Sequence, residues 1–98
     1  MLLAAAAMVA GMPAFAADHA VMIKDFAFQP AKLNVAVGDT VTFTNGDSAP
    51  HTGTADDGSF NTGTINSGGK ATVTISAAGD HAYHCNFHGS MKGSVAAK

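Results

Sequence analysis

The sequence predicts a small all-β domain, an antiparallel sandwich or barrel of six or seven short strands. Apolar and polar residues alternate with a period of two through much of the chain after residue 17, which is the pattern of half-buried strands. The composition includes nine Thr and 11 Gly but no Arg or Glu, and this balance disfavours helices. Clusters of Gly, Asp, Asn and Ser predict turns at 45–48, 56–63, 66–69 and 79–80.

The first predicted strand contains a change in the spacing of its apolar residues. Val21 and Ile23 are two positions apart, as on one face of a strand, whereas Phe26 and Phe28 continue on the opposite phase. An extra residue in one strand of a pair produces such a shift. The sequence therefore predicts a β-bulge near residues 24–25.

The later strands keep the alternation without interruption. Over 33–37, Leu and Val alternate with Asn and Ala, and Gly38 and Asp39 then form a predicted turn. Threonines alternate with Val and Phe over 40–45, which gives that strand one polar and one apolar face. The remaining predicted strands cover 71–75, 81–85 and 92–97.

The first 16 residues differ in composition from the rest, because 14 of them are apolar. Residues 2–10 are typical of the apolar region of a signal peptide, and residues 14–16 form an A-x-A cleavage sequence, although no basic residue precedes Lys24. We therefore expect a signal peptide at 1–16, cleavage near Ala16 and a periplasmic or otherwise exported domain at 17–98. A retained N-terminal anchor or a buried helix is the alternative, and the apolar stretch is too short to span a bilayer.

The length and the charge of the chain bear on its partners, and the charge excludes nucleic acids. The 98 residues carry a formal net charge of −2 and no run of basic residues. Nucleic-acid binding needs clustered Lys and Arg, so we expect no nucleic-acid partner. The length allows one domain, which we expect to be a monomer with no membrane span in its mature form.

The single cysteine has no partner within the chain for a disulfide. In an exported domain, cysteines usually pair. Cys85 is therefore part of an intermolecular bridge, a buried apolar residue or a metal ligand. Free cysteines are often simply buried, so the neighbouring residues must decide.

A thiol, an imidazole and a thioether lie within seven residues, at Cys85, His88 and Met91. They occupy a predicted loop between two strands, and His51 follows another strand that can end on the same side. These soft and borderline ligands suit copper better than other common metals. Two His and one Cys with a weak axial Met are the ligands of blue-copper electron-transfer sites.

The chain resembles the cupredoxins, the plastocyanin and azurin group of blue copper proteins, and is most similar to the amicyanins. The resemblance covers residues 20–97, and its short C-x-x-H-x-x-M loop is typical of the amicyanins. It implies a Greek-key β-sandwich. The matching segments are 37–41, 50–51, 79–85 and 85–91.

The resemblance also implies the ligands of a single copper ion that cycles between Cu(II) and Cu(I). His51, Cys85 and His88 would be the equatorial ligands and Met91 the axial one. The residue after the first His is often Asn in this family and links the two ligand loops. Here it is Thr52, whose shorter side chain we expect to weaken or remove that link.

The other histidines are not assigned to the copper. His84 is expected to point to the opposite face from Cys85, and His81 lies at the start of a strand. His19 lies near the mature N-terminus, where we expect it to bind copper only adventitiously.

Four further polar residues receive structural interpretations. We expect Tyr83 to be buried with its hydroxyl bonded to nearby backbone, as in a tyrosine corner. Asp47, Asp56 and Asp57 are expected to be solvated loop charges.

The function that we expect is a soluble one-electron carrier rather than an enzyme. Redox partner proteins would dock near His88, where Phe87 and Pro50 add apolar surface. The alternative is copper buffering or delivery, with His19 and Met22 as a weak loading site.

Two other functions fit the sequence less well. A nucleophilic Cys85 would need an acid or amide that orients its histidine, and the sequence indicates none. Structural zinc fits poorly, because Met is a poor zinc ligand.

Overall fold

A computed structural model describes residues 16–98, and this range folds into two packed β-sheets without a helix. Most of the predicted signal peptide, including its apolar region, lies outside the described residues. In the part of the chain that is described, no helix is long and apolar enough to cross a membrane. The strands are β1 (Asp18–Lys24), β2 (Ala27–Gln29), β3 (Lys32–Val35), β4 (Thr40–Asn45), β5 (Thr54–Ala55), β6 (Lys70–Thr74), β7 (Gly79–His84) and β8 (Lys92–Ala97).

The two four-stranded sheets have the orders β2-β1-β4-β6 and β3-β8-β7-β5. Most neighbouring strands are antiparallel, as expected, but β1 pairs with β4 and β3 pairs with β8 in parallel. The sheets are therefore mixed, with antiparallel pairs in the majority. After β1 the chain forms β2, crosses to the other sheet as β3 and then returns as β4, and this long connection permits a parallel pair. The prediction of an all-β sandwich is confirmed.

The core lies between the inner faces of the sheets. Val41, Phe43 and Asn45 of β4 are fully buried, while the threonines between them are partly exposed, as the alternation predicts. The ring of Phe43 packs edge to face with that of Tyr83, with centroids 5.5 Å apart, a favourable arrangement for aromatic pairs. All eight strands lie within 18–97, so residues 17–98 contain the complete described fold.

A turn replaces the bulge that was predicted at residues 24–25. β1 and β2 form an antiparallel hairpin in which Lys24 pairs with Ala27, and Asp25 and Phe26 between them have positive φ angles of 53° and 56°. The backbone amides of these two residues donate to the carboxylate of Asp47 at 2.8 and 2.9 Å. These bonds stabilise a left-handed conformation that is unfavourable for residues with a Cβ atom.

Tyr83 is buried as predicted, with 1% of its surface exposed, but the predicted hydroxyl bond is absent. Among residues 16–98, no group hydrogen-bonds to its hydroxyl. Tyr83 pairs with Gly93 on β8, and a Cβ atom at Gly93 would lie 2.4 Å from the hydroxyl oxygen. The ring therefore lies over the glycine, and burial raises the pKa of Tyr83.

Candidate metal centre

The side chains of His51, Cys85 and His88 meet beyond the ends of β4 and β7. Sγ of Cys85 lies 3.7 Å from Nδ1 of His51 and 3.6 Å from Nδ1 of His88. Within residues 16–98, these three form the one group of at least three His, Cys, Asp or Glu side chains close enough to share a metal ion. The structure thus brings together three of the four residues that the sequence predicted to bind copper.

The spacing of the three donor atoms fits a metal ion between them. Bonds of about 2.0 Å to an imidazole nitrogen and about 2.3 Å to a thiolate, as at zinc sites, place the two donors about 3.5 to 3.7 Å apart for angles from tetrahedral to trigonal around the ion. The two sulfur–nitrogen distances are 3.7 and 3.6 Å. The three donors therefore lie close enough together to bind one metal ion, as the two His and one Cys of a blue-copper site do.

His51 is held in a fully buried position by the loop that follows β4. Its backbone exchanges two hydrogen bonds with Ile65, at 3.1 and 2.8 Å. The amide group of Asn45, at the end of β4, donates to the carbonyl oxygens of Ala49 and Ile65. These contacts join two loops around the imidazole and fix its position through hydrogen bonds that do not involve a metal.

Asp47 orients the His51 ring. Its carboxylate lies 2.9 Å from Nε2 of His51, so the N–H at Nε2 donates to it and Nδ1 keeps a free lone pair that faces Cys85. The backbone amide of Phe26, followed by that of Asp25, also donates to this carboxylate, and these bonds lower the pKa of Asp47.

The prediction that Asp47 is a solvated loop charge is therefore wrong. Only 9% of its side chain is exposed. In the sequence, Asp47 lies four residues before His51. This spacing indicates a contact between the two side chains only when the conformation of the loop is known.

The loop from Cys85 to Met91 is closed by its own backbone. The amide of Cys85 donates to the carbonyl of Met91 at 3.2 Å, and the amide of Met91 donates to the carbonyl of His88 at 2.9 Å. Cys85 and Met91 are both buried, with 1% and 3% of their surfaces exposed. The predicted axial ligand thus lies at the closed end of the same loop, and its coordination remains a proposal.

Thr52 links the two ligand loops, so its short side chain does not remove this link; whether the link is weaker than with Asn stays a prediction. Its hydroxyl oxygen accepts a hydrogen bond from the amide of Asn86 at 2.9 Å. Its own amide lies 3.4 Å from Sγ of Cys85 and donates to it. The link is present because the loops approach closely enough for a hydroxyl group to span them.

The ring of His88 lies at the surface among aromatic side chains. It is half-buried, and the rings of Phe26 and Phe87 lie 4.8 and 6.4 Å from it, centroid to centroid. Phe26 also contacts the ring of His51 at 5.1 Å. About half of the surface of Phe26 and of Phe87 is exposed. Pro50, which directly precedes His51 in the sequence, is also exposed.

Phe26 was not predicted as part of the site, because the sequence places it in a strand. Its left-handed turn carries the ring over both histidines, and this turn depends on Asp47, 21 residues away along the chain. We call Phe26, Pro50 and Phe87 the apolar rim of the site.

The remaining histidines lie outside the centre, as predicted. His84 bonds to the carboxylate of Asp56, and His81 bonds to that of Asp57 at 2.6 Å. As predicted, these two aspartates are exposed loop charges, with 59% and 49% of the side chains of Asp56 and Asp57 exposed, and each also bonds to an imidazole of β7. His19 of β1 lies 2.9 Å from a carboxylate oxygen of Asp39.

Comparison with known proteins agrees with this arrangement. Residues 1–97 match a family model described as a cupredoxin-like domain. The Cu(I) form of a methionine-to-alanine mutant of amicyanin is 29% identical and superposes with a TM-score of 0.76, covering 91% of this chain and 88% of that chain. A purple cupredoxin from Nitrosopumilus maritimus is 28% identical with a TM-score of 0.73, covering 83% and 100%. No curated protein matches the sequence.

The family model and the site lead to one conclusion. The match covers almost the whole chain, the solved structures share its two-sheet architecture, and the donors of His51, Cys85 and His88 are placed for one metal ion. This protein belongs to the cupredoxin-like domain family and has the side chains of a cupredoxin copper site.

Proposed function

We propose that this protein is a one-electron carrier with a single type 1 copper ion. His51, Cys85 and His88 would be the equatorial ligands, and Met91 would be the weak axial ligand. The observation that carries the proposal is the close approach of the three donors, with sulfur–nitrogen distances of 3.7 and 3.6 Å. When bound, copper supplies the change between Cu(II) and Cu(I).

The protein's own groups would keep this geometry nearly constant during electron transfer. Asp47 holds the ring of His51, and the amide of Thr52 donates to the sulfur of Cys85. A hydrogen bond to the thiolate sulfur withdraws negative charge from it and favours the reduced site. Because hydrogen bonds that do not involve the metal tie both ligand loops together, little would need to move when the charge on the metal changes.

The apolar rim is the surface where we propose that redox partner proteins dock. Its two aromatic rings, those of Phe26 and Phe87, lie against His88. The ring of His88 reaches the surface, whereas His51 is fully buried. A partner that covers the exposed rings of Phe26 and Phe87 would exclude water from the shortest path to the metal. Exposed aromatic side chains are common centres of protein interfaces.

We also propose that the protein is exported and cleaved after Ala16. The support is the A-x-A sequence at 14–16 and the apolar stretch before it. The test is the intact mass of the protein recovered from the extracytoplasmic fraction. A chain that begins at Ala17 is the expected result, and a chain that retains residues 1–16 would contradict it.

Copper delivery is less well supported. The loading site that the sequence suggested for it combines His19 with Met22. These residues lie on opposite faces of β1, since His19 is on the side of the buried Val21 and Met22 is exposed. They do not form a common site in this fold.

The visible and EPR spectra of the Cu(II)-loaded protein test the proposed function. We expect one copper per chain, an intense thiolate-to-copper band and a reversible reduction. The band should disappear in Cys85→Ser and persist in His84→Gln, which removes a histidine outside the centre. Since one structural neighbour is named a purple cupredoxin, the colour also reports the site type. A weak band in the unmutated protein would exclude a type 1 site.

A further inference from the structure

The carboxylate of Asp39 draws together two nitrogen groups at the start of β1. One oxygen accepts a hydrogen bond from the backbone nitrogen of Ala17 at 3.0 Å, and the other lies 2.9 Å from Nε2 of His19. Asp39 is buried, with 7% of its surface exposed. The imidazole of His19 and the nitrogen of Ala17 therefore lie on the same side of the chain, where both contact the same carboxylate.

We propose that cleavage after Ala16 creates a second metal site, specific for Cu(II) or Ni(II), at Ala17, Asp18 and His19. Its four donors are the new α-amino nitrogen of Ala17, the amide nitrogens of Asp18 and His19, and Nδ1 of the imidazole. The inference rests on the proposed cleavage, but it does not depend on the electron-carrier function.

The chemistry follows from the position of the histidine. A free amino terminus with His as the third residue places four nitrogens in chain order, so that a metal ion closes three fused chelate rings in one plane. Square-planar nitrogen coordination is the geometry that Cu(II) and Ni(II) prefer. Binding releases the protons of the two amides and one proton of the α-ammonium group to solvent, and no oxidation or reduction takes place.

The fold leaves the required imidazole nitrogen free. Nε2 of His19 is the atom that bonds to Asp39, whereas no hydrogen bond within residues 16–98 occupies Nδ1. A metal-binding histidine usually donates its other N–H to a carboxylate or carbonyl, and this bond orients the ring. The bond to His19, followed by those from the amides of Ala36 and Ala17, lowers the pKa of Asp39 to about 2, so the carboxylate is available as that acceptor.

Metal binding competes with the first hydrogen bonds of the sheet. Asp18 and His19 pair with Thr40 and Val41 in the parallel ladder, and the amide of Thr40 donates to the carbonyl of Ala17. A metal bound to the amide nitrogens would pull the first residues of β1 away from β4. The site should therefore bind more weakly than the free tripeptide, and metal addition should perturb Thr40 and Val41.

The proposed site is separate from the candidate copper centre. Asp39 precedes β4, whereas Asn45, at the other end of β4, holds the loop of His51. Five residue steps along the strand correspond to about 17 Å. Occupation of one site should therefore leave the ligands of the other unchanged.

The inference is tested by adding Ni(II) to the chain that begins at Ala17 after it has been loaded with Cu(I). Cu(I) then occupies the candidate copper centre. Both ions are diamagnetic in the expected sites, so NMR signals near them remain visible. We expect one Ni(II) per chain, a yellow colour from square-planar nickel, and NMR shifts at Thr40 and Val41 but not at Cys85. The matched controls are the same chain with one alanine added before Ala17, which moves the imidazole to the fourth position, and His19→Gln.

Both controls should lose about 100-fold or more in Ni(II) affinity, because the chelate no longer closes. Equal binding in the extended chain, or shifts centred on another histidine, would overturn the inference. So would a natural mature chain that begins at a residue other than Ala17. Failure of the copper centre itself would appear separately, as missing Cu(I) shifts at Cys85, and the nickel titration can then be repeated with the apoprotein.

Discussion

The carboxylate of Asp47 lies 2.9 Å from Nε2 of His51 and also accepts the backbone amides of Asp25 and Phe26. One side chain thus fixes the buried imidazole and the left-handed turn that carries an aromatic ring over the site. A carboxylate that accepts a bond from a metal-binding histidine fixes the tautomer and the orientation of its ring. The preorganisation of this centre therefore depends on a residue that does not touch the metal position.

Asp47→Ala should lower the affinity for copper by about 10- to 100-fold, the usual effect of removing such a partner. The ring of His51 would lose the acceptor that fixes its Nδ1 toward Cys85, and the turn at Phe26 would lose its anchor. Competition with a Cu(I) chelator measures the affinity. Asp80→Ala is the matched control, because Asp80 is exposed and lies near the start of β7, whereas Cys85 follows the end of this strand. Equal affinity in both variants would contradict the role of Asp47.

Thr52→Val should destabilise the apoprotein by about 1 kcal/mol, because the amide of Asn86 loses its acceptor while the side-chain volume is kept. Thr52→Ser retains the hydroxyl and should keep the link between the loops. Urea unfolding of the metal-free variants measures the difference. If the Ser and Val variants have the same free energy of unfolding, the hydroxyl link does not contribute to stability.

Tyr83→Phe should leave the free energy of unfolding unchanged or raise it by about 1 kcal/mol. The hydroxyl of Tyr83 is buried without a partner among residues 16–98, and an unpaired buried polar group is unfavourable. Gly93→Ala tests the same contact from the other strand. Its Cβ would lie 2.4 Å from the hydroxyl oxygen, so we expect clear destabilisation. A loss of stability in Tyr83→Phe would show that the hydroxyl has a partner in solution.

The sequence was sufficient to predict the features that depend on local pattern. The alternation of Thr with Val41 and Phe43 predicts β4 and its buried face, and the structure confirms both. The positions of Cys85 and His88, three residues apart after a strand, predict a shared loop and a common ligand position. In each case the information lies within a few neighbouring residues.

The features that the sequence did not predict depend on contacts between distant segments. The phase change between Ile23 and Phe26 is compatible with a bulge or a turn, and the carboxylate of Asp47 selects the turn. The hydroxyl of Thr52 reaches Asn86 only because two loops, 34 residues apart in the chain, approach each other. Residue type alone does not indicate such a distance.

The buried imidazole of His81 should make stability depend on pH. Nδ1 of His81 lies 2.6 Å from the carboxylate of Asp57, and Nε2 lies 2.7 Å from the carbonyl oxygen of Ala77. Both neighbours are acceptors, so the ring must donate from both nitrogens and carry a positive charge. The bond to Asp57, followed by that to Ala77, raises the pKa of His81, and the nearby charge of Asp80 contributes in the same direction.

Because the pKa of His81 is higher in the folded protein than its ordinary 6.5, its contribution to stability is complete below that value. The contribution is lost as the pH rises through the folded pKa. The pKa of Asp57 is lowered instead, first by the hydroxyl of Ser59 and then by His81, so its contribution is lost as the pH falls below its ordinary 3.8. The metal-free protein should therefore be most stable between these two pH values.

Urea unfolding of the apoprotein from pH 4 to pH 9 measures this dependence. Asp57→Asn should flatten the decrease above pH 6.5, because the ring loses the charge that favours its protonated form. Asp56→Asn is the matched control, since its partner His84 is partly exposed, and it should keep the decrease. If the free energy of unfolding of Asp57→Asn decreases above pH 6.5 as steeply as that of the unmutated protein, the pair of His81 and Asp57 does not cause the decrease.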